Sequence, residues 1–198
     1  MPHDQPVGEV VESSTPQFAV ACYQLFEAPA FGALVKATRM DRGGWVYGIV
    51  YDVATGSEPP GAQVTVRGRS DLRDAAIYTA NPDLPEIMRT RFMALTVGFT
   101  DNSAIRQYLP PQPPPLHYSV YVCDPAEVCA FTERLDYLRT ILINQQIPSD
   151  ELAAAAIRQA RQCRSNDPGF ALRAGRQLAQ SLKEEYDRLR AILARIGV

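Results

Sequence analysis

The residues best suited to nucleophilic or metal chemistry are four cysteines, Cys22, Cys123, Cys129 and Cys163, and two histidines, His3 and His117. No Cys-x-x-Cys pair occurs among them, so a zinc site built from closely spaced ligands is not expected, nor is any other cofactor. His117 stands close in sequence to Cys123 and Cys129, which leaves an unrecognised Cys/His hydrolase as one reading. The favoured reading is structural thiols, because a reactive cysteine needs an exposed, electropositive setting that raises its thiolate fraction. Cys22 lies in an apolar run and reads as a small core residue. The carboxylate pairs Glu184–Glu185 and Glu133–Asp136 read as solvated helix faces. The chain contains no G-x-x-x-x-G-K-[ST] phosphate loop, no G-x-S-x-G elbow and no H-E-x-x-H metal helix. A non-enzyme is therefore expected.

Arginine supplies the other candidate chemistry. Arg67, Arg69 and Arg73 fall within the stretch from Val64 to Asp74 and could contact phosphate, as could Arg158, Arg161 and Arg164 further on. The formal net charge of -2 gives no global field toward nucleic acid or anionic membrane. An exposed loop whose arginines pair with Asp71 and Asp74 is the simpler expectation, and a DNA-associated accessory role is the alternative.

These residues must be positioned by a chain of 198 residues with ordinary globular composition. Val7–Val11 is a short β run, and Ser13-Ser14-Thr15-Pro16 is turn chemistry. Phe18, Val20 and Cys22 alternate with Gln17, Ala19 and Ala21 at the two-residue period of a half-buried strand. Asp41-Arg42-Gly43-Gly44 is a turn before the β-rich run from Trp45 to Tyr51, within which Gly48 marks a bulge or tight corner. Residues from Ile87 to Phe99 predict one long strand, apolar on both faces around Met93–Val97. The proline tract 109–115 is extended and reads as a stiff spacer, with docking into a polyproline-binding groove as the alternative. His117–Cys123 predicts a closing strand.

From residue 125 the period changes. Asp124-Pro125-Ala126-Glu127 is a capping box with proline at the first helical position. Val128, Phe131, Leu135, Leu138 and Leu142 continue it as one apolar stripe. Pro148-Ser149-Asp150-Glu151 opens a second helix and Asp167-Pro168 a third. Along the third, Leu172, Gly175, Ala179, Leu182, Tyr186, Leu189, Leu193 and Ile196 follow three-four spacing. That seam packs either inside the chain or against a neighbour, so Leu182, Tyr186, Leu189, Leu193 and Ile196 are candidate interaction residues. The fold class is α+β: a small N-terminal β-barrel domain over residues 1–124, then a three-helix domain over 125–198.

Four short patterns carry a resemblance: Val7-Gly8-Glu9-Val10, Gln17-Phe18-Ala19-Val20, Gly32-Ala33-Leu34-Val35 and Tyr47-Gly48-Ile49-Val50. Together they resemble the HAS barrel, the N-terminal barrel shared by HerA-type DNA-translocating ATPases and ATP synthase α/β subunits. In those families a P-loop ATPase domain follows; here the proline tract and helices follow. The resemblance implies a barrel without its motor: a non-catalytic assembly or adaptor module whose partner is a HerA-like ATPase or a second copy of the chain. No charged n-region with an apolar h-region opens the sequence and no apolar run is long enough to span a bilayer, so a cytoplasmic protein is expected.

Overall fold

The computed structural model describes residues 5–40, 43–58, 64–69, 71–164, 167 and 169–197. Seven strands form one antiparallel sheet: β1 Gly8–Ser13, β2 Gln17–Cys22, β3 Leu34–Thr38, β4 Trp45–Ser57, β5 Met88–Asp101, β6 Ala104–Arg106 and β7 Ser119–Val122. Six of them close on themselves in the order β1-β2-β5-β4-β3-β7, because β2 pairs with β5 and β1 pairs with β7. β6 adds to β5 outside the ring. Closure leaves these six strands without the long free edges of an open sheet over most of their length. The α+β class, with a barrel followed by helices, is the one expected from the sequence. His3 and the Asp41-Arg42 half of the expected turn lie outside the described residues.

Alternation along the strands sorts side chains between two cores. Val10, Phe18, Val20, Val35, Val46, Val50, Phe92 and Ala94 fill the barrel. Leu34, Tyr47, Ile49, Leu95 and Val97 point outward into a second cluster with the helices. β5 is therefore apolar on both faces because it is buried on both. Gly48 sits at a register shift between β4 and β5, where a Cβ would lie 2.8 Å from Phe18 Cζ; the Phe18 ring occupies the space a side chain would need.

The helices are α1 Ala75–Ala80, α2 Leu84–Ile87, α3 Pro125–Phe131, α4 Tyr137–Leu142, α5 Ser149–Gln162, α6 Phe170–Ser181 and α7 Tyr186–Ile196. α1 and α2 lie between the expected loop, which ends at Asp74, and the expected strand, from which α2 takes Ile87. The capping box forms: Asp124 Oδ1 accepts from Glu127 N at 2.8 Å, and Glu127 Oε2 accepts from Asp124 N at 3.0 Å. The helix it opens is nevertheless two helices. Gln107 fills the break, its Nε2 donating to the carbonyls of Phe131 and Arg134 and its Oε1 accepting from Tyr137 N. The end of α3 and the start of α4 thereby find partners that a continuous helix would have supplied internally.

The expected long third helix is also broken. α6 and α7 are separated at Leu182–Glu185, so α7 returns alongside α5. Arg188 donates to Asp150 Oδ1, Ser149 Oγ and the Leu142 carbonyl, while Arg158 and Arg161 of α5 donate to the carbonyls of Arg195 and Ile196. These contacts run α7 parallel to α5 and cap its C-terminal carbonyls with positive charge. Asp167 pairs with Arg173 rather than capping α6, whose N-cap is Gly169; Pro168 is outside the described residues.

The proline tract links β6 to β7 and stays on the barrel. Pro110 and Pro114 are buried, the Ser13 hydroxyl donates to the Pro114 carbonyl, and Val10 exchanges backbone hydrogen bonds with His117 and Tyr118. The tract is a strap across β1.

Candidate interaction face

β4 and β5 are far longer than β3, and the mismatch creates an unusual edge. β3 pairs with β4 from Thr38↔Trp45 to Leu34↔Ile49, and backbone contacts from Gly32 and Ala33 to Val50 end that ladder. The register shifts between Val50 and Asp52, and β4 then continues to Ser57 paired to β5 alone. Asp52, Val53, Ala54 and Thr55 are all exposed. Among the described residues nothing pairs with the side of these four that faces away from β5. An open edge of this kind is a template for an added strand.

An aromatic pair stands beside it. Phe26 has φ 67, a left-handed backbone that a bulky side chain rarely adopts and that costs about 1–3 kcal/mol. Its N–H donates to Thr90 Oγ1 at 2.7 Å, and Thr90 Oγ1 lies 2.8 Å from Thr55 Oγ1 on β4. The loop is thus tied to the arm, yet the Phe26 side chain remains 56% exposed, edge-on to Tyr78 at 5.3 Å. Tyr23, Val53 and Ile87 are further large apolar side chains exposed on the same arm and its flanking loops. Glu58 holds Arg89 at 2.9 Å and Arg91 at 3.7 Å, giving the patch a charged border. An apolar centre with a polar rim is the anatomy of a protein-binding surface.

The residues singled out by sequence are dispersed. Leu182 and Ile196 are buried in the chain's own core, Leu189 and Leu193 pack against it, and Tyr186 is 69% exposed. Arg67 bonds Asn81 at 3.0 Å and Asp83 at 2.9 Å rather than Asp71 or Asp74, while Arg69 and Arg73 are exposed and make no ion pair among the described residues. Arg158 and Arg161 are committed to α7, and Arg164 donates to the Cys129 carbonyl and Thr132 Oγ1. His117 is exposed on the far side of β1's strap, with Nδ1 3.3 Å from Glu9 Oε1. Cys123 is buried, and desolvation holds its thiol far above the usual range, with Glu127 adding to the effect. Cys129 donates to the Cys163 carbonyl at 3.4 Å. No group of three metal-ligating side chains occurs among the described residues.

An apolar run that ends at Tyr51, as the sequence analysis has it, leaves the open edge out. The signal was present: Val53 and Thr55 carry the alternation on past Asp52. No protein-family model matches the chain, and no curated protein matches it. Among the described residues no helix is long and apolar enough to cross a membrane.

Proposed function

We propose that this chain is a non-catalytic assembly module that binds a protein partner by strand addition at Asp52–Thr55, with Phe26 and Tyr78 as apolar anchors. The observation that carries the reading is the open β4 edge lying beside a strained, exposed phenylalanine. Main-chain hydrogen bonds to such an edge supply affinity, and buried aromatic anchors supply selectivity. The resemblance of the first four strands to the HAS barrel adds the class of partner: a HerA-like ATPase, or a second copy of the chain. His117 faces Glu9 and the buried Cys123 thiol is held in its protonated form, which supports the non-catalytic part.

The test is absolute mass by light scattering, alone and with a HerA-type ATPase lacking its own barrel, for the parent chain and for Val53→Pro, which removes an N–H directed away from β5, and Phe26→Asn. Asparagine tolerates the left-handed backbone, so the loop is kept while the anchor is removed. Assembly lost in both variants, with unchanged thermal unfolding, supports the proposal. A parent chain that stays monomeric with every partner overturns it.

A second reading, nucleic-acid association, rests on the exposed Arg69 and Arg73. Binding that weakens steeply with salt and is lost in an Arg69→Ala/Arg73→Ala variant supports it; absence of salt-sensitive binding removes it.

A further inference from the structure

The helical layer brings two of the four cysteines together across 34 residues of chain. Cys129 lies on α3, and Cys163 caps the C-terminus of α5. The Cys129 thiol donates to the Cys163 carbonyl at 3.4 Å, and Arg164 Nη2 donates back to the Cys129 carbonyl at 2.6 Å. These reciprocal bonds set the two backbones side by side. A carbonyl oxygen sits about 2.4 Å from its own Cα, so Cys129 Sγ lies within about 6 Å of the Cα that carries the second thiol. Both members of the pair are partly exposed, whereas Cys22 and Cys123 are buried. Burial raises the Cys163 thiol above its ordinary value, the Cys129 sulfur adds to the rise, and Arg164 opposes it. One thiolate is felt by another only at short range, so this mutual effect agrees with the hydrogen-bond geometry. The Arg164 guanidinium supplies fixed positive charge beside the pair, the setting that favours an attacking thiolate.

We infer that Cys129 and Cys163 form a dithiol exchange site, which a small-molecule disulfide such as glutathione disulfide converts to an internal disulfide fastening the end of α5 to α3. One cysteine loses its proton, and its thiolate attacks a sulfur of the small disulfide. That S–S bond breaks, a mixed disulfide forms and one small-molecule thiolate leaves. The second cysteine, also as its thiolate, attacks the protein sulfur of the mixed disulfide and expels the other small-molecule thiolate. The two protein sulfurs together give up two electrons, the small disulfide takes them up, and the two protons end on the departing thiols. A disulfide joins Cα atoms roughly 4.4–6.8 Å apart. Cys163 is the residue at which α5 ends, so turning it toward Cys129 disturbs no helical turn beyond it. The site lies among the helices, away from the β4 edge, and does not depend on the assembly reading.

The full chain, reduced and then incubated under native conditions with glutathione disulfide, is read by intact mass and by peptide mapping. The expected product is lighter than the reduced chain by two hydrogens, with Cys129 joined to Cys163 and with Cys22 and Cys123 unmodified. Cys129→Ser and Cys163→Ser should each stop one step earlier, with a single glutathione retained on the remaining cysteine of the pair. Because the bond closes a long loop, the oxidised chain is expected to unfold about 5–15 °C above the reduced one, and a thiol reductant should reverse the rise. Should either serine variant fail to fold, the peptide map of the parent chain still decides. Glutathione adducts without an internal bond, a bond joining any other pair, no reaction in native protein, or an unfolding midpoint that does not rise overturns the inference.

Discussion

Gln107 accepts a hydrogen bond from the backbone N–H of Tyr137 at 3.1 Å while its Nε2 donates to Phe131 O at 2.6 Å, so one side-chain amide replaces the missing turn between α3 and α4. Removing it orphans groups at both helix ends. Gln107→Ala is expected to lower unfolding free energy by about 1–3 kcal/mol. Gln107→Glu should do no better, because a carboxylate aimed at the Phe131 and Arg134 carbonyls repels them. Urea midpoints equal to the parent's would sink the argument.

Phe18 and Gly48 share one volume inside the barrel. A Cβ at position 48 would lie 2.8 Å from Phe18 Cζ and 2.9 Å from Ala94 Cβ. Gly48→Ala should cost about 1–3 kcal/mol through overpacking. Phe18→Leu vacates part of that space, so the double variant should cost clearly less than the sum of the singles. Strict additivity in the double-mutant cycle would show that the two do not compete.

The thiols give the pH dependence. Burial pushes Cys22 from the ordinary thiol value of 9.0 up to about 11, and Cys123 shifts further in the same direction. Between those two values the unfolded chain ionises Cys22 and the folded chain does not. A raised folded-state pKa stabilises below the unfolded value and is lost as pH rises through the folded one, so stability should decline above about pH 9. Cys22→Ala should flatten that decline. In native protein at pH 8, Cys22 and Cys123 should resist alkylation until denaturant is added; rapid labelling of either would contradict their burial.

Along the three-four series of the last two helices, position matters more than residue type. Leu182→Ala is expected to cost about 2–4 kcal/mol as a core truncation. Tyr186→Ser, four residues on, should change stability by less than about 0.5 kcal/mol, because its side chain is largely exposed. Equal costs at the two positions would restore the uninterrupted helix.

The strands were legible because their signals are local. Phe18, Val20 and Cys22 alternate within one strand, and Pro16 marks its start. The capping box at Asp124 was legible for the same reason. The helix breaks were not: the apolar stripe runs from Phe131 to Leu138 without a fault in spacing, and what stabilises the break is Gln107, distant in sequence. The strap's contact with β1 was not legible, because only tertiary pairing shows that Tyr118 bonds back to Val10. The β4 edge depends on β3 stopping at Thr38 and Leu34 while β4 goes on, a relation between two strands that neither shows alone.

Gly8 and Glu9 find their final neighbours at Val120 and Ser119, and β3 needs that same strand. During synthesis at about 5–20 residues per second, the first strand waits on the order of ten seconds for the partner that completes its ring. Leu95 and Val97 are covered later still, since the helices that pack on them are made after β7. Nascent chains therefore carry an unclosed, partly apolar sheet until β7 has been made. Contacts of such long sequence separation make the closing step the slow one in refolding as well.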